Sequence, residues 1–214
     1  MPDSFNPFRD IWQERVSRYG KRAADDLAID RTYFSHSTNR QLNLLISLFK
    51  AQIADKRKAR ILDFGCGYGR FSNALANIYA TYRVLAYDPC SDFFNLASYH
   101  KRVRYRACGP HAFFHAEKHL FDAIWIVNVL GYLPDDIVSQ YGPLLNQLLA
   151  PDGLLFLVER TIDKEEEADS FWKARTVTFY TALFPEMSLA PVGAYVVQEK
   201  QMTVLAGRKI KASP

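Results

Sequence analysis

The chain has 214 residues, 49% of them hydrophobic and 14% aromatic, with 27 Lys+Arg against 23 Asp+Glu for a formal charge of +4. That composition supports a sizeable core in one large domain and excludes global disorder, while so small a positive charge falls short of a dedicated nucleic-acid binder. The amino-terminal MPDSFNPFRD has none of the basic and then apolar texture of an export signal, and the longest apolar stretch, 121–133, is interrupted by Asp122, Asn128 and Gly131 and is too short to span a bilayer. Three widely spaced cysteines, Cys66, Cys90 and Cys108, fit neither a disulfide framework nor a zinc site. The expectation is a soluble cytoplasmic protein without metal and without membrane insertion.

In chain order, Ile11, Trp12, Val16 and Tyr19 give a weak helical pattern over 8–19, and Leu42, Leu45, Ile46, Phe49 and Ile53 recur at three- and four-residue steps on one helix face. Residues 1–58 therefore read as a helical cap ahead of a second region, 59–214. From Arg60 short apolar runs alternate with amphipathic stretches: a strand at 60–64, a helix at 71–79, a strand at 83–87, a helix at 92–99 and a strand at 103–107. The run 121–127 has no polar alternation after Asp122, as in a strand buried on both faces. Leucines up to Leu149 mark a helix that Pro151-Asp152-Gly153 stops, and a strand follows at 154–158. This order predicts an α/β fold with a mostly parallel, doubly wound sheet. The runs 192–198 and 202–206 are too close for a helical crossover, so they form an antiparallel hairpin.

The segment Ile61-Leu62-Asp63-Phe64-Gly65-Cys66-Gly67-Tyr68-Gly69-Arg70-Phe71 takes a buried strand through closely spaced glycines into a helix, a turn that lets backbone approach a ligand closely. Nineteen positions after Gly69, at the end of the next strand, Asp88 is placed to accept both hydroxyls of a ribose. The dinucleotide fingerprint G-x-G-x-x-G/A requires a small residue where this chain has Arg70, which argues against a pyrophosphate at this turn. A ligand without phosphate and with a positively charged amino-acid end tolerates Asp63 on the strand.

On these residues the sequence resembles the class I S-adenosylmethionine-dependent methyltransferases. Asp88 stands at the family's ribose-binding position, 121–130 resembles the fourth strand leading to the acceptor pocket, Leu149-Ala150-Pro151-Asp152-Gly153-Leu154-Leu155 resembles the turn into strand five, and the terminal hairpin matches the reversed seventh strand. The resemblance implies a seven-stranded Rossmann-like sheet, S-adenosylmethionine as cofactor, and a cofactor site drawn from Asp63, Gly65, Cys66, Gly67, Gly69, Arg70, Asp88, Pro89 and Asn128. Where the family often has an acid for the adenine amino group this chain has Arg106-Ala107-Cys108-Gly109-Pro110, so backbone at Cys108 and Gly109 takes that place. It also departs by having Gly131-Tyr132 where many small-molecule members carry Glu-His, and by following Asn128 with Val129 and Leu130 rather than with Pro-Pro-aromatic.

Methyl transfer from a sulfonium is an in-line displacement in which alignment supplies much of the acceleration, and a base is needed only for a hydroxyl or a protonated amine. Three catalytic candidates stand near the expected pocket: Tyr132, His111 and Glu159. Each has a plainer alternative, respectively packing, a surface helix start, and half of a charge pair with Arg160. The run 164–167 reads as a solvated segment, and the basic clusters at 56–60 and 101–106 as exposed charge. Trp12-x-x-Arg15 followed by Tyr19-Gly20 is similar to bacterial methyltransferases of small molecules or surface saccharides, which makes a small-molecule or saccharide hydroxyl or amine the preferred acceptor. An RNA methyltransferase and a non-catalytic nucleoside-binding scaffold stay open as alternatives, and so does a homodimer.

Overall fold

Seven segments become strands: β1 (Arg60–Phe64), β2 (Arg83–Tyr87), β3 (Val103–Arg106), β4 (Phe121–Val127), β5 (Leu149–Arg160), β6 (Ala190–Val197) and β7 (Lys200–Arg208). They form one sheet in the order β3-β2-β1-β4-β5-β7-β6. The pairs β2/β3, β1/β4 and β4/β5 are parallel, whereas β7 runs antiparallel to both β5 and β6. The mostly parallel sheet with a reversed terminal strand is thus present, and its order turns back between β1 and β4, the kind of switch point beside which open α/β sheets bind ligands. The computed structural model describes residues 7–24, 31–53, 56–163, 172–197 and 199–210; the charged run 164–167 and Gln198 of the expected hairpin lie outside the described residues.

By their internal contacts, Met1–Lys58 with Gly65–Glu117 form one unit and Ala59–Phe64 with Lys118–Pro214 another. In the first, helices α1 (Pro7–Tyr19), α2 (Arg31–Gln52), α3 (Ser72–Ile78) and α4 (Pro110–Ala116) accompany β2 and β3. Leu45, Phe49 and Ile53, picked out by their spacing, are fully buried. Val16 and Ala23 pack with Cys90 and Phe93, and Trp12, Tyr19 and Tyr68 close over that cluster. Arg102 caps the end of α3 by giving Nη2 to the Ala76 carbonyl at 2.7 Å, the cation placement that suits a helix C-terminus.

In the second unit β4 and β5 carry the centre of the core, with α5 (Asp135–Leu148) and α6 (Val177–Leu183) alongside β1, β6 and β7. Trp125 and Phe156 are register partners, both fully buried, with their rings stacked at 4.6 Å and 9°. A stacked pair between neighbouring strands adds about 0.5–1.5 kcal/mol beyond the area it buries.

Two local expectations are corrected, and two helices appear where none was expected. The stretch 92–99 is a 3-10 turn over Ser91–Leu96 and then non-helical, because its few apolar residues fill little more than one turn and the Ala97 amide closes back three residues onto Phe94. The helix before Pro151 ends at Leu148, since Leu149 already pairs with Phe121, and β5 runs through the Pro-Asp-Gly by setting Asp152 at φ 59°. α4 is a helix started by Pro110 at its first turn. α6 is another, opened by Thr176, whose hydroxyl accepts from the Phe179 amide at 3.1 Å.

Candidate active site

The turn after β1 is built on positive backbone angles, φ 74° at Gly65, 53° at Gly67 and 76° at Gly69, which side-chain-bearing residues adopt only at a cost. It wraps the end of β2. The amides of Gly65 and Cys66 both donate to the Tyr87 carbonyl, at 2.8 and 2.9 Å, and the Gly69 amide donates to Cys66 at 3.0 Å. The Gly67 amide donates to Asp88 Oδ2 at 2.9 Å while the Cys90 amide donates to Oδ1, also at 2.9 Å. Four amides of the turn are therefore engaged within the chain, and the carboxylate keeps a second lone pair on each oxygen. Burial pushes the Asp88 pKa up to about 6, against the two amide bonds that pull it down.

Around this turn the structure brings together most of the residues the sequence singled out. Pro89 lies between Asp88 and the Cys90 amide, and the Arg70 guanidinium sits over the Phe71 ring at 4.4 Å. The Tyr87 ring stacks on Phe113 at 4.0 Å and its hydroxyl donates to the Cys108 carbonyl at 3.1 Å; the Gly109 carbonyl starts α4 by accepting from the Phe113 amide at 2.9 Å. Asp63 is buried on β1, in register with Trp125 of β4. Spacing did not disclose Tyr105, which accounts for Gly69: a Cβ there would stand 2.0 Å from the Tyr105 hydroxyl.

A second cluster forms where β4 ends. Asn128 takes φ 55°, its amide donates to the Val158 carbonyl at 2.9 Å, and its Oδ1 is buried without a hydrogen-bond partner among the described residues. Glu159, fully buried at the end of β5, accepts the Val129 and Leu130 amides on Oε1 at 2.8 and 2.7 Å and the Gly131 amide on Oε2 at 3.3 Å. Burial raises its pKa to about 7 in spite of those amides and of the nearby Arg175 charge. Tyr132 stacks on Trp172 with centroids 5.6 Å apart and rings 15° from parallel. A Cβ on Gly131 would meet Trp172 Nε1 at 1.6 Å, so the indole lies directly on that glycine. His111 is exposed near the start of α4, its ring parallel to that of His115 at 6.5 Å. The structure thus gathers Asn128, Tyr132 and Glu159 about one turn and sets His111 on α4 of the other unit. Arg175, which donates to the Leu130 and Leu133 carbonyls, and Trp172, which lies on Gly131, hold the same turn and were not read from the sequence because nothing local marks them.

A family model described as a methyltransferase domain matches residues 34–190. The chain belongs to the methyltransferase domain family. No curated protein sequence matches this methyltransferase domain. Among solved structures it is similar to the magnesium protoporphyrin IX methyltransferase of Synechocystis with bound SAH, at 14% identity over 95% of this chain and 98% of that one, with a TM-score of 0.74. The N-methyltransferase NodS of Bradyrhizobium japonicum in complex with S-adenosyl-l-homocysteine is 18% identical over 94% of this chain and all (100%) of its own, with a TM-score of 0.69. The 1,6-didemethyltoxoflavin-N1-methyltransferase of Burkholderia thailandensis gives 20%, 99%, 93% and 0.66 for the same quantities. At these identities the likeness shows that the methyltransferase domain has the class I fold.

Proposed function

We propose that the protein is an S-adenosylmethionine-dependent methyltransferase acting on a hydroxyl or amine of a small molecule or saccharide. The observation that carries the reading is the joined turn and acid. Amides of residues 65, 66, 67 and 69 are consumed within the chain, so the turn offers close backbone approach rather than a ring of donors for phosphate. Asp88, held at both oxygens by amides, has its remaining lone pairs for the two hydroxyls of a ribose. These residues fit an adenosyl ligand without phosphate. When bound, that group supplies an activated methyl on a sulfonium.

In this reading Gly65, Cys66, Gly67, Gly69, Arg70 and Pro89 shape the cofactor site with Asp88, the Cys108 and Gly109 backbone borders the adenine, and Asp63 tolerates the positive amino-acid end. Asn128 takes part through its buried Oδ1. Tyr132 orients the acceptor, and with Trp172 it presents a broad aromatic surface suited to a ring. The 1,6-didemethyltoxoflavin bound to one neighbour is consistent with a small-molecule acceptor. His111, exposed near the start of α4, is a candidate base for a hydroxyl acceptor.

The test has two arms. Calorimetry with S-adenosylhomocysteine is expected to give a saturable heat, and thermal shift is expected with it and not with NADH. Incubation with radiolabelled S-adenosylmethionine and a panel of sugars, phenols and heteroaromatic amines is expected to label a member of the panel. No heat with S-adenosylhomocysteine at millimolar concentration overturns the reading.

A further inference from the structure

Residues 129–133 join β4 to α5 with a glycine at their centre, and no apolar periodicity of their own fixes their shape. Two ionic side chains from distant parts of the sequence do so. Glu159 collects three consecutive amides, those of Val129, Leu130 and Gly131, at 2.8, 2.7 and 3.3 Å. Arg175, whose side chain is 2% exposed, gives Nη1 to the Leu130 carbonyl at 2.7 Å and Nη2 to the Leu133 carbonyl at 2.6 Å. Its Nε donates to Asp135 Oδ1 at 2.9 Å, and Lys173 reaches the other Asp135 oxygen. One carboxylate grips the donors of the turn while one guanidinium grips its acceptors.

Such an arrangement is costly. A buried carboxylate and a buried guanidinium each lose several kcal/mol of hydration, and apolar side chains of similar volume often serve stability as well or better. What the ions add here is definition, since three amides and two carbonyls of five consecutive residues are satisfied together in this backbone conformation. That conformation lays Gly131 under the Trp172 indole, with the Lys173 amide on the Gly131 carbonyl at 2.8 Å, and it sets Tyr132 against the same indole.

We propose that Glu159 and Arg175 are the positioning pair of the acceptor site, holding the 129–133 turn so that Asn128 and Tyr132 are presented in a preformed geometry, and that Glu159 acts on the transfer through this turn. The proposal rests on the methyltransferase reading above, in which the turn faces the methyl acceptor. Preformed geometry matters for this chemistry because alignment, more than proton transfer, lowers the barrier of an in-line displacement. Among the described residues, the other charged or titratable groups facing the pair are Asp135 and Lys173, bonded as described, and Tyr180, whose hydroxyl titration burial raises and the Glu159 charge raises further.

The test uses the full chain, isotopically labelled for NMR, as wild type, Glu159→Gln and Arg175→Lys. In wild type the Val129, Leu130 and Gly131 amide protons are expected to titrate together with one midpoint near neutrality, moving upfield as the carboxyl gains its proton. In Glu159→Gln that common titration disappears and exchange of the three amides quickens at least about tenfold. Arg175→Lys keeps the charge without the fork and is expected to shift the same amides and the Trp172 indole, leaving the Gly67 resonance in place. Wild-type amides that fail to titrate together, or a folded Glu159→Gln whose three amides superpose on wild type, overturn the pair; where Glu159→Gln does not fold, the wild-type titration decides. Calorimetry with S-adenosylhomocysteine on the same samples separates the two levels. Wild type without heat removes the reading beneath the proposal, whereas heat with flat amides removes the proposal alone.

Discussion

Asp88 Oδ2 accepts the Gly67 amide at 2.9 Å, so the acid proposed to hold the ribose and the glycine turn proposed to lie against the cofactor are one hydrogen-bonded object. Asp88→Ala deletes the proposed sugar contacts and also strips two buried amides, those of Gly67 and Cys90, of their acceptor. Hydrogen bonds to a charged group contribute about 1.5–3 kcal/mol each. S-adenosylhomocysteine affinity is expected to fall at least about 100-fold by calorimetry, and an affinity within threefold of wild type would refute the assignment of Asp88.

Gly69→Ala meets two separate obstacles, a positive φ of 76° and the Tyr105 hydroxyl 2.0 Å from the new Cβ. The angle alone costs about 1–2 kcal/mol, and the clash adds to it. A denaturant series on Gly69→Ala, Tyr105→Ala and the double variant should show the double variant more stable than the sum of the two singles. Additive losses would mean that Tyr105 is not what reserves the site for glycine.

Asn128 holds φ 55° without glycine's freedom. Asn128→Gly is expected to leave the fold as stable as wild type or to gain up to about 1 kcal/mol in urea, while weakening S-adenosylhomocysteine or slowing labelling of whichever panel acceptor is found. A variant that gains stability and loses nothing in either assay would release Asn128 from the site.

The two buried carboxylates set a pH dependence whose sign is opposite to that of salt-bridged acids. Asp88 is raised from 3.8 to about 6 and Glu159 from 4.5 to about 7, so in each interval the native state holds more proton than the unfolded chain. The stabilisation is complete below the unfolded value and is lost as pH rises through the folded one. Each contributes on the order of 3 kcal/mol across its window. Thermal melts from pH 4.5 to 7 should therefore show wild type losing stability with rising pH relative to Glu159→Gln, and parallel curves would contradict the shift at Glu159.

How far the sequence could be read depended on whether the signal was local. The glycine turn and Asp88 were legible because the turn needs unusual backbone angles and the acid sits at a fixed distance along a βαβ unit, both properties of neighbouring residues. The buried strand 121–127 was legible from its unbroken apolar run. Glu159 was picked out by its place at the end of a strand, but its grip on the 129–131 amides spans about thirty residues and has no local signature. Arg175 reaches 45 residues back to Leu130, and Trp172 reaches Gly131 in the same way. The helix expected at 92–99 failed for the converse reason, since Phe93, Phe94 and Leu96 look helical by spacing but the chain beyond Leu96 is extended at Ala97, so the face stops after little more than one turn.

The three tryptophans of the chain stand in three different settings: Trp12 over the cluster of Val16 and Phe93, Trp125 sealed against Phe156, and Trp172 on Gly131. Intrinsic fluorescence can thus be dissected with single-tryptophan variants. Emission from Trp125 reports only whole-chain unfolding, while red shifts from Trp12 or Trp172 at low urea would betray loosening of one locality before the sheet gives way.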